Sequence, residues 1–100
     1  MAKATKDPEQ NETKTLRRLV DFNGKRVLEI GCGEGRLTWR YAGASRSTVG
    51  IDPDKNALRV ARADCPSDLA DKVRFVNCKA EQLPFRKEKF DIAILAWSLL

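Results

Sequence analysis

The segment Arg26-Val27-Leu28-Glu29-Ile30 runs directly into Gly31-Cys32-Gly33-Glu34-Gly35, and this junction constrains the fold more than any other feature of the chain. A short apolar, branched run closed by glycines reads as a β-strand. Glycines 31 and 33 then permit a tight turn and leave backbone N–H groups unobstructed by side chains. A helix starting at the end of such a turn adds partial positive charge suited to a carboxylate or phosphate. A second strand, Thr48-Val49-Gly50-Ile51-Asp52, ends in a carboxylate 21 residues after Gly31. An acid at that place can accept hydrogen bonds from both hydroxyls of a ribose. Strand, glycine turn, helix, strand and acid together predict a site for a ligand with a ribose and a negatively charged end.

The remaining pattern fits one architecture. Leu16, Leu19 and Val20 recur at helical spacing, and Asn23-Gly24 stops that helix. Arg36 to Ala44 has helical character, with Leu37 and Tyr41 on one face. After Asp52, Pro53 suits the first turn of a further helix; Asp52 or Asp54 caps it, Leu58 and Ala61 point inward, and Pro66 ends it. Val73 to Asn77 is a third strand, and Leu83-Pro84-Phe85 anchors the loop that follows. Phe90 to Trp97 is a fourth strand, an almost unbroken apolar run of the kind buried on both faces of a parallel sheet. Strands alternating with helices predict an α/β fold, a parallel sheet covered on both sides. Residues 1 to 12 are polar and aperiodic and are expected to form a flexible tail, with the folded part spanning 13 to 100.

Composition narrows the function. One hundred residues make one small domain. The longest apolar run, Ile92 to Trp97, is too short to cross a bilayer, and the N-terminus has no secretory signature, so a cytoplasmic protein without a membrane partner is expected. The chain has no histidine, and Cys32, Cys65 and Cys78 lie at no metal-ligand spacing; no metal is expected, and the thiols read as reduced and at least half-buried. The net charge of +5 comes from nineteen Lys and Arg residues scattered among acids, which supports nucleic-acid binding only weakly.

The dinucleotide fingerprint G-x-G-x-x-G requires glycine where this chain has Arg36, a large side chain at a point of close helix–strand packing. The pattern G-x-G-x-G preceded by an acid resembles a different family. VLEIGCGEGRLT resembles the first motif of class I S-adenosylmethionine-dependent methyltransferases, VGIDPD the second, and VRFVNCKAEQLPF with FDIAILAWSLL the next two. The similarity covers residues 15 to 100 and is nearest the type 11 methyltransferase domains. It implies a Rossmann-like three-layer α-β-α fold of strand order 3-2-1-4, cut short of the family's seven strands, with S-adenosyl-L-methionine as cofactor.

The resemblance also implies roles. The backbone of Gly31, Cys32, Gly33 and Gly35 approaches the methionine part of the cofactor, and Glu29 lies near its amino group. Asp52 takes the ribose hydroxyls, Pro53 borders the adenine, and Ala80 (through its N–H) and Glu81 sit by the adenine edge. Ala96 and Trp97 line the methyl end. Glu29 facing solvent at a strand end and Trp97 packing in a core are the simpler alternatives. Two positions depart from the family: Lys79 stands where an acid often binds the adenine amino group, and Cys78 replaces a common glycine. No catalytic residue is assigned; Ser98 reads as a helix cap. The expected activity is methyl transfer to a small-molecule acceptor, completed only in a longer chain or an oligomer, with the open edge of the fourth strand available for self-association. A non-catalytic cofactor-binding module and a nucleotide-dependent oxidoreductase are the alternatives.

Overall fold

The computed structural model describes residues 20–83 and 89–96. The helix expected around Leu16 and the tail before it, the Pro84-Phe85 anchor, Trp97 and Ser98 lie outside the described residues. Four parallel strands, β1 (Arg26–Ile30), β2 (Ser47–Asp52), β3 (Val73–Asn77) and β4 (Ile92–Leu95), form a sheet of order β3-β2-β1-β4. This is the Rossmann-like order expected from the alternation of elements. Two helices punctuate it, α1 (Thr38–Tyr41) and α2 (Lys55–Asp64), with short 3₁₀ turns at Ser67–Leu69 and Ala80–Gln82.

Local chemistry sets each boundary. Gly24 closes the turn before β1 at φ 68°. Asp54 caps α2, its Oδ1 accepting from the amides of Asn56 and Ala57, and Leu58 and Ala61 are fully buried. Pro53 precedes that cap and is exposed; it leads the chain in rather than occupying the first helical turn. The helix after the glycine turn is a single turn of four residues, shorter than the span expected from Arg36 to Ala44. Around it the amides of Arg40, Ala44 and Ser45 bond three residues back, so the segment is mostly turn. Lys72 caps its end, donating to the carbonyls of Gly43 and Ser45.

Register and alternation divide the sheet into two faces. Val27 and Glu29 of β1 are in line with Thr48 and Gly50 of β2, and Glu29 with Ile94 of β4. This face is closed: Phe22, Val27, Tyr41 and Ile94 form one apolar cluster, and Ala42, Leu69 and Val73 a second. Phe22 stacks on Tyr41 with ring centroids 4.6 Å apart. The opposite face is less covered. Leu28 and Ile51 are buried there, whereas Arg74, Ala93 and Leu95 are exposed, Leu95 by 46%. The expectation of a β4 buried on both faces is therefore corrected, because no described element packs over its Ala93–Leu95 side.

At the start of the sheet, Asp91 ties β4 to β1. Its carboxylate accepts from the Arg26 backbone amide at 2.9 Å and from the Arg26 guanidinium at 3.0 and 3.1 Å. The guanidinium and amide hydrogen bonds hold the Asp91 carboxyl down at about 2. Because the folded form binds the proton less well than the unfolded chain, this contact stabilises above the ordinary carboxylate range and fades as the pH falls toward 2. Asp91→Asn is expected to lower the denaturation midpoint at neutral pH and to converge with the wild type near that acid limit, a comparison that urea titrations along the pH axis check.

Candidate functional site: a glycine turn between two acids

The glycine turn crosses the C-terminal ends of β1 and β2, and its backbone is left-handed at Gly31 (φ 79°), Gly33 (φ 55°) and Gly35 (φ 86°). A Cβ on Gly35 would lie 2.9 Å from the Trp39 indole, so the close approach in this loop falls at Gly35. Arg36, at the position where the dinucleotide fingerprint requires glycine, is exposed. A Cβ on Gly50 would lie 2.8 Å from Cys32 Sγ. The bare backbone of β2 thus makes room for the Cys32 side chain, which turns inward, while burial pushes its thiol well up.

The amides of Gly31, Cys32, Gly33 and Gly35 are already engaged, contrary to the expectation from glycine content. Gly31 and Cys32 both donate to the carbonyl of Ile51, Gly33 donates to Asp52 Oδ2 at 2.9 Å, and Gly35 donates to the Cys32 carbonyl. With only one helical turn behind the loop, the helix contributes little positive potential as well. The charged residues at the cavity are Asp52, Glu81 and Lys79.

Asp52 stands directly beside the glycine turn. Its Oδ1 accepts from the Asp54 amide at 2.8 Å, and Asn77 donates to its carbonyl at 2.9 Å. Each carboxylate oxygen has a second acceptor site to offer. A cavity of about 440 Å³ opens here, within the roughly 300–1,000 Å³ usual for small-molecule sites. Of the residues expected at the site, Gly31, Asp52, Pro53, Ala80 and Glu81 line it. Ile30 and Ile51 from the strand ends complete the wall, with Cys78 and Lys79 beyond β3. The isoleucines were missed from sequence, although both are the last apolar residues of strands already seen to end at the site. Cys32, Gly33, Gly35 and Ala96 lie off the wall; Ala96 sits beside it, its amide donating to the Ile30 carbonyl at 2.9 Å.

Glu29 is the second acid, and it is neither at a strand end nor in solvent. It is completely buried on β1's closed face, one residue before the strand's end, and does not line the cavity. Thr38 and Tyr41 both donate to its Oε1, at 2.7 and 2.6 Å, while Oε2 is buried with no hydrogen-bond partner among the described residues. Burial raises the Glu29 carboxyl to about 7 against the opposing pull of the two hydroxyls. Thr38 and Tyr41 were missed as partners because Tyr41 reads from sequence as an apolar face residue. The signal available was Glu29 at i+2 from Val27, which places the acid on the core side of the strand.

The matching family is described as "Methyltransferase domain", and it covers residues 27–100. The chain belongs to this family. Among its relatives, the demethylmenaquinone methyltransferase of Lactococcus lactis is 30% identical over 89 residues, which is 86% of this chain and 35% of that protein. The chain thus spans about a third of that relative's length. The YcgJ protein of Bacillus subtilis superposes with a TM-score of 0.76 at 27% identity, covering 84% of this chain and 36% of that one. An RNA methyltransferase of Salinibacter ruber, solved with S-adenosyl-L-homocysteine, superposes with a TM-score of 0.75 at 22% identity over 89% of this chain and 58% of that one, a likeness of fold. The fold class and the resemblance read from the motifs are confirmed: these are S-adenosylmethionine-dependent class I methyltransferases, and S-adenosyl-L-methionine is the family's cofactor.

The residues present suit that cofactor. A carboxylate with spare acceptor capacity suits a diol, and an apolar-walled cavity suits a base.

The burial of Glu29 has a measurable cost. Its folded-state value is raised above the unfolded one of 4.5, so stability is full below that pH and is lost as the pH rises through about 7. Glu29→Gln is expected to match the wild type in acid and to exceed it by roughly 1–3 kcal/mol near pH 8, as read from urea midpoints at the two extremes.

Proposed function

We propose that this chain is the cofactor-binding part of a methyltransferase that transfers a methyl group from S-adenosyl-L-methionine to a small-molecule acceptor. The observation that carries the reading is the placement of Asp52 against the Gly33 amide at the mouth of the cavity. Asp52 receives the ribose hydroxyls, Pro53 and Ala80 bound the adenine with Glu81 at its edge, and the turn from Gly31 to Gly35 carries the methionine end. Ala96 extends the site toward the methyl group. When bound, the sulfonium supplies a methyl group that is already activated. The chain's residues therefore need to orient the cofactor and keep water away, and no general base is assigned to them.

A small acceptor is favoured by the scattered basic residues, which form no stripe suited to a phosphate backbone. The Lactococcus relative carries a small-molecule acceptor in its name and matches over 86% of this chain, whereas a tRNA U34 carboxymethyltransferase of Pseudomonas, 53% identical, matches over 35% of it. The spent loop amides disfavour the oxidoreductase alternative, which needs them for a pyrophosphate. No described helix is long and apolar enough to cross a membrane, and a cytoplasmic location is our reading. Because the chain covers about a third of its relative, we assign it cofactor capture, without turnover by itself. The exposed Ala93–Leu95 side of the edge strand β4 supports self-association there, and Leu95→Lys is expected to shift the chain toward monomer in sedimentation.

Calorimetric titration with S-adenosyl-L-homocysteine tests the site. Asp52→Ala is expected to weaken binding about ten- to hundredfold, the range for hydrogen bonds to a charged group. Unchanged affinity would remove Asp52 from the ribose. Binding alongside methyl transfer to acceptors separates an enzyme from a module that only holds the cofactor.

A further inference from the structure

Asp52 is held from three directions, and one of the three does not touch its carboxylate. The turn supplies the Gly33 amide to Oδ2 at 2.9 Å, and the entry to α2 supplies the Asp54 amide to Oδ1 at 2.8 Å. The third donor is the side-chain amide of Asn77, whose Nδ2 lies 2.9 Å from the Asp52 carbonyl oxygen. Asn77 is the last residue of β3 and the register partner of Asp52, the last of β2. A side chain 25 residues away thus closes the pairing where both strands end.

That contact bears on the site in two ways. The peptide joining Asp52 to Pro53 has no N–H, so its carbonyl is the one polar group through which it can be tied down, and Asn77 takes it. The direction of a carboxylate follows the backbone that carries it, so fixing this peptide also aims the Asp52 side chain. Immediately beyond Asn77, the residues Cys78, Lys79, Ala80 and Glu81 line the cavity. A side-chain donor lets β3 finish its pairing with Asp52 while the backbone turns away into that wall. The other charged residues at the cavity, Lys79 and Glu81, are exposed and make no hydrogen bond or ion pair with Asp52. The aim of the acid is left to its three N–H donors.

We propose that Asn77 is a positioning residue that, by fixing the Asp52 carbonyl, aims the Asp52 carboxylate at the ribose hydroxyls and sets how strongly the site distinguishes a ribose from a deoxygenated sugar. This deepens the function proposed above and rests on it. Asn77 acts through Asp52 and not on the ligand. Hydrogen bonds weaken steeply as their angle falls toward about 120°. A carboxylate free to swing therefore loses the hydroxyls while the contacts to the base remain.

The test compares S-adenosyl-L-homocysteine with its 2′,3′-dideoxy counterpart, which lacks both hydroxyls, by calorimetry on the full chain at neutral pH. The wild type is expected to prefer the first about ten- to hundredfold, the range for hydrogen bonds to a charged group. Asn77→Leu and Asn77→Ala, one close in size and one small, both lack the donor and are expected to cut that preference about three- to tenfold. Affinity for the dideoxy ligand is expected to hold, which also verifies that each variant is folded. With Asp52→Ala already present, Asn77→Leu is expected to leave the preference as it is, since the two residues act through one contact. Hydrogen exchange followed by NMR reads the same positioning without a ligand. Asn77→Leu is expected to speed exchange at the Gly33 and Asp54 amides, which bond the carboxylate, and to spare those of Gly31 and Cys32, which bond the Ile51 carbonyl. A preference that the Asn77 variants leave unchanged, or exchange that rises equally at all four amides, overturns the positioning role and leaves Asp52 at the ribose. A wild type that binds both ligands equally well removes Asp52 from the ribose and overturns the present proposal with it.

Discussion

The parallel pairing of β1 with β2 is the constraint from which the site follows. It brings the end of one strand, already turning through glycines, beside the end of another that finishes in Asp52. The pairing then extends beyond the strands themselves. Gly31 and Cys32 both reach the carbonyl of Ile51, and Gly33 reaches the Asp52 carboxylate, so the turn is effectively a continuation of the ladder. A loop held in this way needs no ligand to keep its shape. Left-handed backbone at three positions costs little because all three residues are glycine.

That economy explains what the sequence revealed. Val73 to Asn77 and Arg26 to Ile30 were legible to the residue because branched apolar runs bounded by turn formers leave little choice. Asp52 beside the glycines was legible because a strand end and a crossover length fix the geometry. The loop amides were misread because glycine content shows that backbone can be exposed, not whether a neighbouring strand has already used it. The helix after the loop was overextended for a related reason. Leu37 and Tyr41 share a face in one turn as well as in three, and the polar stretch after Ala42 is held by Lys72, 27 residues from Ser45 and invisible to local pattern.

β4 shows a different limit. An unbroken apolar run predicts burial on both faces, and Ile94 meets that expectation while Ala93 and Leu95 do not. Sequence reports what a strand is suited to pack against. Whether a layer is present on each side depends on elements elsewhere, and here the closed face takes its cover from Phe22 and α1. Glu29 illustrates the reverse case. Alternation alone puts it inside with Val27, yet a charged residue type argues for the surface. The strand period prevails, and the chain carries a buried acid as the result.

Two acids close to the turn sit in contrasting surroundings. Asp52 is half-exposed and receives amide donors, so its charge is supported and can face neutral hydroxyls. Glu29 is sealed away from the cavity, with two hydroxyls on one oxygen and no partner among the described residues on the other. A pyrophosphate in the cavity would meet the Asp52 carboxylate beside a turn whose Gly31, Cys32, Gly33 and Gly35 amides are already donated, and would lose the attraction that a dinucleotide site supplies. The same glycines that suggest an anion cradle in one-dimensional sequence thus form, once folded, a turn whose Gly31, Cys32, Gly33 and Gly35 amides are engaged within the chain beside a carboxylate.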